Sequence, residues 1–512
     1  MPTLSKPAAD ANLMHAVLRN ADAHPDRSAL IDPDDLSGAI SYRRLRQEIL
    51  HRARYFLDNG LRPGDVAVLN IATLNQTDDL LAFLALTSIG VGVYASSVRS
   101  QVEQQVAERL EVDHEVGGEP AAGSPRKAIA APRYDRSREE TVGVRLEEVM
   151  VDKALQYPWL VRSTSGTTGD PKVFITTHEQ GIFRRDRYYC ATGLGGNSIF
   201  TSLVLLRFGA ARQRVFYALS RGATVIIPPE DVSIDAMIGI SRKHRTTHLY
   251  AVPIHLELCC RIARTNADAA AEHPLLPDLV NLEASSSPVT PELAASVRTL
   301  VSPRFSNSYS VSEVGHISTT RLSPQPNADA DLINIGVAVD GVEIAVLDER
   351  FEPVPPGTRG AIAVRFASRS TQVDYLDARR QWVSETRQGW FLPGDIGYVS
   401  PNGNLIYECR ADDMMIFDGV NIYPREIEAV LETHPAVEQA AAFPVPSALH
   451  GSIPVDAVVL RSGVVDGRGL VGFCRQRLGD RAPRHVEVMK ALPRNAFGKI
   501  LKRELASRFR EA

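Results

Sequence analysis

Three short stretches of the chain combine residues whose types and spacing could do chemistry. The first, Ser163-Thr-Ser-Gly-Thr-Thr-Gly-Asp-Pro-Lys172, gathers Thr164, Ser165, Thr167 and Thr168, the glycines Gly166 and Gly169, and Lys172. Hydroxyl donors, a cation and a backbone free to bend suit a polyphosphate. It is not a Walker loop, because Lys172 leads into Val173-Phe-Ile-Thr-Thr177, a strand-like run, and not into a helix. Trp159, Leu160 and Val161 lead in the same way, so the loop is expected to tip a β-hairpin. A polar surface turn is the other reading these residues allow.

The second stretch, Asn307-Ser-Tyr-Ser-Val-Ser-Glu-Val-Gly315, offers Tyr309 to stack on a base, Ser310 and Ser312 to meet a phosphate, and Glu313 for a hard cation. A buried tyrosine and a capping Ser-x-x-Glu pattern would account for the same residues structurally. In the third, Trp390-Phe-Leu-Pro-Gly-Asp-Ile-Gly397, Asp395 between glycines could hydrogen-bond two ribose hydroxyls, or could form an Asx turn. Beyond it lie Arg410-Ala-Asp-Asp413, Phe417-Asp-Gly-Val-Asn-Ile-Tyr-Pro-Arg-Glu-Ile-Glu428 and Leu492-Pro-Arg-Asn-Ala-Phe-Gly-Lys-Ile500. Taken alone, Lys499 reads as a solvated surface lysine.

The elements that must position these stretches begin with a helix capped by Ser41, with Leu45, Ile49, Ala53 and Phe56 on its apolar face and Asn59-Gly60 at its end. A buried strand is expected over Asp65–Ile71. A second helix follows, capped at Thr77, with Asp78 and Asp79 near its positive end and a stop at Gly90. The apolar run Val91–Tyr94 completes a βαβ unit, which implies a largely parallel sheet. From Asp113 to Gly143 no clean period appears, and a long surface segment is expected. Later elements alternate again: a helix over Glu179–Cys190, a strand within Gly222–Pro229, a strand over Thr247–Val252 and a helix from Pro253. The small polar run Ser285-Ser286-Ser287 then falls at a strand end, which in an open α/β sheet faces the ligand crevice. Asn402-Gly403 signals a hairpin, and Pro424 opens a helix to about Thr433.

Composition bounds the class. At 512 residues the chain exceeds what one core usually serves, so two or more domains are expected. Lys plus Arg number 57 against 61 Asp plus Glu, a balance that points to no nucleic-acid partner. There is no apolar run of membrane-spanning length and no basic-then-apolar start, so neither membrane nor secretion is expected. The 5 cysteines lack metal or disulfide spacing, and a cytoplasmic location fits best.

Joined in order, Ser-Thr-Ser-Gly-Thr-Thr-Gly-x-Pro-Lys, Tyr-x-x-x-Glu, Gly-Asp, Arg-x-Asp-Asp, Gly-x-Asn-x-Tyr-Pro-x-Glu-Ile-Glu and Pro-Arg-Asn-x-x-Gly-Lys-Ile resemble the adenylate-forming superfamily of acyl-CoA synthetases, adenylation domains and luciferases. The resemblance runs over nearly the whole chain and is weakest before Gly143. It implies an α/β N-terminal domain with subdomains over residues 1–411 and a small α+β C-terminal lid over 412–512, with a hinge at Asp412. It also implies that an acid and ATP give an acyl adenylate and pyrophosphate, and that after the lid rotates a thiol takes the acyl group. The thiol would belong to coenzyme A or to the pantetheine of an acyl or aryl carrier protein.

Carried over by position, the resemblance gives Thr164, Ser165, Gly166, Thr167, Thr168, Gly169 and Lys172 to the β- and γ-phosphates. Tyr309 would stack on adenine, Ser312 would touch the α-phosphate, and Glu313 would help to hold Mg²⁺. Asp395 would bind the ribose with Arg410 nearby, Lys499 would be the lid lysine of the adenylating state, and Gly419 would lie on the strand lining the thiol tunnel. Catalysis would then rest on Lys499, Glu313 with its Mg²⁺, and Ser312, since two anions must be brought together. Ser285, Ser286 and Ser287 stand where relatives commonly have Gly-Gly-Ala, and Ser310 stands where they have Gly. Leu203-Val-Leu-Leu-Arg-Phe-Gly209 differs from the acid-pocket pattern of many relatives, so Arg207 either faces the acid or points to solvent. No aspartate there matches the one that grips an amino-acid substrate. An aryl or acyl carboxylate is therefore the expected small-molecule acid. Two alternatives stay open: an adenylate former with another acid or acceptor, making amides or activating nitrite as a diazotase does, and a non-catalytic nucleotide-binding relative.

Overall fold

The structure is a computed structural model; it describes residues 11–33, 39–96, 101–117, 126–134, 145–151, 153–165, 171–265, 274–320, 329, 332–366, 373–376, 382–384, 386–447, 449–461, 465–495 and 498–509. Helix Tyr42–Asp58 forms as its spacing predicts. The Ser41 side chain accepts from the Arg44 amide at 3.2 Å, and Leu45, Ile49, Ala53 and Phe56 are fully buried. Gly60 follows the C-cap with φ +106, a left-handed value that glycine tolerates best. Strand Val66–Asn70, helix Gln76–Ser88 and strand Gly92–Ser96 make the βαβ unit, the two strands pairing in parallel from Val66 opposite Gly92.

Two expectations need correction here. The cap of helix Gln76–Ser88 is Asn75, whose side chain accepts from the Asp78 amide at 2.8 Å; Thr77 lies inside the first turn. Between Asp113 and Gly143 the chain does contain sheet: His114–Gly117 and Lys127–Ala130 add two parallel strands beside Val66–Asn70. Within that segment, residues 118–125 and 135–143 lie outside the described residues.

Among the described residues two large sheets hold most of the strands. One has nine strands, and its parallel centre runs through Thr224–Ile226, Ile199–Ser202, His248–Ala251, Asn281–Ala284 and Phe305–Val311. The other has eight, and includes the antiparallel hairpin Pro158–Ser165 with Pro171–Thr177, in register from Pro158 opposite Thr177 to Ser165 opposite Pro171. That hairpin is the one expected around the hydroxyl-rich loop; Gly166–Asp170 at its tip lie outside the described residues. Fully buried Trp159, Phe83 and Phe216 pack together where helices Gln76–Ser88 and Gly209–Ser220 meet the hairpin strand. A six-stranded antiparallel sheet follows, including Gly360–Phe366, Asp395–Val399 and Leu405–Arg410.

The last five-stranded sheet, Met415–Phe417 to His485–Met489, pairs only among its own strands within the described residues. Its core gathers Met415, Ile422, Ile427, Leu431, Val437 and Val458, the middle pair supplied by helix Pro424–Glu432, which opens on proline as expected. The segment after this sheet returns to the first part of the chain. Gly498, at φ +77, lies so close to Ile254 that an added Cβ would stand 2.8 Å from the Ile254 Cβ, and this approach sets Lys499 beside the sheets.

Candidate active site

A cleft of about 1020 Å³ opens between these parts, lined by residues drawn from positions 93 to 504. Ser163 and Lys172 reach it from the hairpin strands, Ser312 and Glu313 from the turn between Phe305–Val311 and Gly315–Thr319, Gly394 and Arg410 from the third sheet, and Lys499 from the C-terminal segment. The sequence-predicted cations and carboxylate therefore converge on one space. Thr164 and Ser165 lie on the hairpin strand with side chains that are not described.

Asp395 is 3% exposed and lies just beneath the lining. It accepts a hydrogen bond from the Tyr309 hydroxyl and another from Arg410 at 3.1 Å, so those three side chains form one cluster. Burial pushes the Asp395 carboxyl above its usual range, while Arg410, Tyr309 and, more weakly, Lys499 pull it back down. Lys499 is thus near enough for its charge to be felt at this carboxylate. Tyr309 sits on strand Phe305–Val311, opposite Ser318 of strand Gly315–Thr319, and caps no helix.

Arginines hold the Ser312–Val314 turn by its carbonyl oxygens. Arg162 and Arg184 each donate to Ser312 at 3.2 Å, Arg184 also donates to Glu313, and Arg187 donates to Val314 at 2.8 Å. The Glu313 carboxylate itself has no cationic partner among the described residues and accepts only from the Tyr375 hydroxyl at 3.2 Å. The charges of Arg162 and Arg184 are felt at this carboxylate, but neither side chain is bonded to its oxygens among the described residues, which leaves them open to a hard cation. Lys172 lies 5.1 Å from the Tyr375 ring centre, which keeps it beside the same turn.

At the deep end, Arg214 donates to both carboxylate oxygens of Glu283, at 2.6 and 3.0 Å, and Tyr188 donates to Glu283 at 2.8 Å. Arg214 also reaches Ser285 at 3.1 Å, and Tyr250 bridges Ser285 and Ser286 at 3.2 and 3.0 Å. Of the three serines only Ser286 lines the cleft, and it does so at φ +78, a conformation that is costly for a residue with a Cβ. Ser287 is turned inward with a buried hydroxyl that has no hydrogen-bond partner among the described residues. Arg207 does line the cleft, exposed and set over the Phe208 ring.

Two further placements concern the C-terminal part. Asp412 lies in the one-turn helix Ala411–Asp413, and its carboxylate pairs with Arg503 at 3.1 Å. Gly419 is not on a strand: it occupies the turn between Met415–Phe417 and Val420–Ile422 at φ +78, and nothing stands within 4 Å of an added Cβ. The tight two-residue connection between those strands requires this left-handed backbone.

Sequence reasoning passed over Arg162, Arg184, Arg214, Glu283 and His316. The available signal was positional: Arg184, Arg187 and Tyr188 recur at helical spacing on one face of helix His178–Thr192, and all three are buried.

Comparison with known proteins places the chain in a family. Residues 17–370 match the AMP-binding enzyme family and 426–499 match the AMP-binding enzyme C-terminal domain. Oxalate–CoA ligase of Arabidopsis thaliana is 26% identical, covering 98% of this chain and 99% of its own. The 2-succinylbenzoate–CoA ligase of Geobacillus kaustophilus is 28% identical over 88% of this chain and 90% of its own. ATP-bound MatB from Rhodopseudomonas palustris superimposes with a TM-score of 0.84 at 19% identity, covering 98% of this chain and 99% of its own. The chain belongs to the AMP-binding, adenylate-forming enzymes. Its reaction class is that of the acyl-CoA synthetases: ATP-dependent activation of an acid as its adenylate, then transfer to coenzyme A. No helix among the described residues is long and apolar enough to cross a membrane.

Proposed function

We propose that the nucleoside of ATP binds at the Tyr309–Asp395–Arg410 cluster, its phosphates at the 163–172 hairpin, and a small organic acid at the deep end, with Ser312 and Glu313 between. The observation that carries this assignment is the convergence of Lys172, Ser312, Glu313, Arg410 and Lys499 on one cleft. A carboxylate oxygen of the acid attacks the α-phosphorus, the bond to the bridging oxygen breaks, and pyrophosphate leaves. Lys499 and Lys172 offset the charge that gathers on the phosphates, where fixed cations act most strongly. Glu313 would hold Mg²⁺, which when bound supplies further positive charge to those phosphates. The thiol then attacks the acyl carbonyl and AMP departs. Residues 1–411 would serve as the body and 412–512 as a lid turning at Asp412. Two relatives that align over most of this chain are by name ligases of small acids, oxalate and 2-succinylbenzoate, which supports a small carboxylate here.

The direct test is release of pyrophosphate and AMP across a panel of acids, with coenzyme A, with pantetheine and without either. Acid-dependent pyrophosphate release followed by thiol-dependent AMP release is expected; release with no acid added would overturn the assignment. Nitrite with an aryl amine belongs in the same panel, and turnover with that pair alone would replace the carboxylate reading.

Two residues give narrower tests. Asp395→Ala is expected to weaken ATP binding by about 1.5–3 kcal/mol, the worth of a charge-assisted hydrogen bond. Unchanged affinity in calorimetry, with the fold intact, would remove Asp395 from the nucleotide site. Glu313→Gln should lower turnover and raise the Mg²⁺ concentration needed for half-maximal rate, since an amide offers a hard cation less charge. If the Mg²⁺ titrations of variant and parent overlay, Glu313 is not a ligand.

A further inference from the structure

The deep end of the cleft carries more positive charge than one reacting carboxylate requires. Arg212 is matched by Asp79 at 2.8 and 2.7 Å, and Arg214 by Glu283. Arg162 and Arg184 also line the cleft, yet neither pairs with a carboxylate among the described residues. Among the described residues their acceptors are the carbonyl oxygens of Ser312 and Glu313, one Arg162 nitrogen is buried with no partner, and the Glu313 carboxylate is the single anion whose charge both feel. Arg184 is 5% exposed. Burial brings both guanidiniums down to about 10, and the charge of Arg184 adds to the lowering at Arg162, so both remain cations at neutral pH. Buried like charges side by side are costly unless an anion joins them.

A third group faces the same space. His316 lines the cleft at 5% exposure, and among the described residues neither of its ring nitrogens makes a hydrogen bond of ordinary geometry. Burial lowers it to about 4, so its ring is neutral and offers one N–H donor. Tyr217 completes the wall, close enough to Arg184, Arg162, Arg187 and Arg214 to feel all four charges. Such a pocket does not suit an alkyl tail, because filling it with hydrocarbon would leave two cations and an imidazole without acceptors.

Resting on the assignment of the deep end to the acid, we infer that the substrate carries a second anionic group, and that Arg162, Arg184 and His316 hold that group while the first carboxylate is adenylated. The substrate class is a short dicarboxylic acid. The second carboxylate stays free through both half-reactions, and the product is a carboxyacyl thioester. Arg162 and Arg184 thus do two things at once: one arm fixes the Ser312–Val314 turn, and the remaining donors select the acid.

The experiment compares each diacid from malonate to adipate, together with phthalate, against its own monomethyl ester, which keeps the length and removes one charge. Pyrophosphate release is read as kcat/KM. At least one diacid is expected to exceed its monoester by about tenfold or more, the worth of one charge-assisted hydrogen bond. In Arg184→Met, and independently in Arg162→Met should the first not fold, the ratio of diacid to monoester should fall towards one. A role limited to holding the turn, or to meeting the phosphates of ATP, would lower both substrates together and leave the ratio unchanged, which overturns the inference. So would monoesters that match or exceed their diacids in the parent enzyme. If no acid of either kind releases pyrophosphate, the acid-activating assignment fails, and the inference with it.

Discussion

Replacing Lys499 by alanine is expected to slow adenylate formation by roughly 10²–10³, the loss seen when one preorganised electrostatic group is removed, while thioester formation from a supplied adenylate stays nearly intact. The geometry behind this is specific. Asn495 and Lys499 bond each other through the Lys499 amide, at 3.0 Å, and through its carbonyl, at 2.9 Å, and the left-handed Gly498 between them packs on Ile254. The loop therefore presents Lys499 to the cleft in the arrangement described. Gly419 supplies the opposite test. With open space around its Cβ direction, Gly419→Trp meets no neighbour in this arrangement, and only the strain of a side chain at φ +78 would be felt. Gly419→Ala carries the same strain without the bulk and serves as the control. If the lid turns so that this hairpin tip faces the thiol path, tryptophan should impair transfer selectively and leave pyrophosphate release near the level of the alanine control. Equal loss in both half-reactions for Lys499→Ala and Gly419→Trp would mean a C-terminal part that does not alternate.

Local signals explain what was legible beforehand. Ser41 and the period of Leu45, Ile49, Ala53 and Phe56 define a helix because capping and burial follow from nearby residues alone. The hairpin around the hydroxyl loop was legible for the same reason, as two β-branched runs flank a turn. At the next helix the expected cap was Thr77, but the side chain that reaches the Asp78 amide is that of Asn75, one residue before the helix begins. Strands His114–Gly117 and Lys127–Ala130 were hidden because short parallel strands take their partners from distant sequence: Val116 lies opposite Leu69. The deep pocket was the least legible part. Arg184, Arg185 and Arg187 look alike in the chain, and only packing shows that Arg184 reaches the cleft. The motifs proposed for ATP are short and contiguous. The groups proposed to hold the acid come one or two at a time from separate helices and strands, and the helical spacing of Arg184 with Arg187 and Tyr188 marks a buried face without saying what it faces.

Glu283→Gln should be among the most destabilising single changes to this protein, by about 3–5 kcal/mol, because it strands the Arg214 charge in the interior. The pair is deeply set: Glu283 is 1% exposed and Arg214 is 6% exposed, with the Arg214 guanidinium 3.9 Å from the Tyr250 ring centre. Burial alone would raise the Glu283 carboxyl. Arg214, aided by the hydrogen bond from Tyr188, outweighs burial and holds it below the ordinary glutamate range. A carboxyl depressed on folding stabilises the native state above its unfolded value, and that stabilisation is lost as the pH falls through the lower folded value. The advantage of the parent over Glu283→Gln should therefore be complete at neutral pH and shrink as the pH falls from the ordinary glutamate range towards the lower folded value. Denaturation followed by both fluorescence and circular dichroism would separate transitions of different parts of the chain. Replacing both partners, as Arg214→Met with Glu283→Leu, removes the stranded charge along with its mate, so the double variant should be more stable than Glu283→Gln despite two substitutions. A double variant less stable than the single one would show that the neighbours Tyr188, Ser285 and Tyr250 depend on the charged pair itself. In that case the deep end is built around the ion pair, and its wall could not be held by hydrocarbon of similar size.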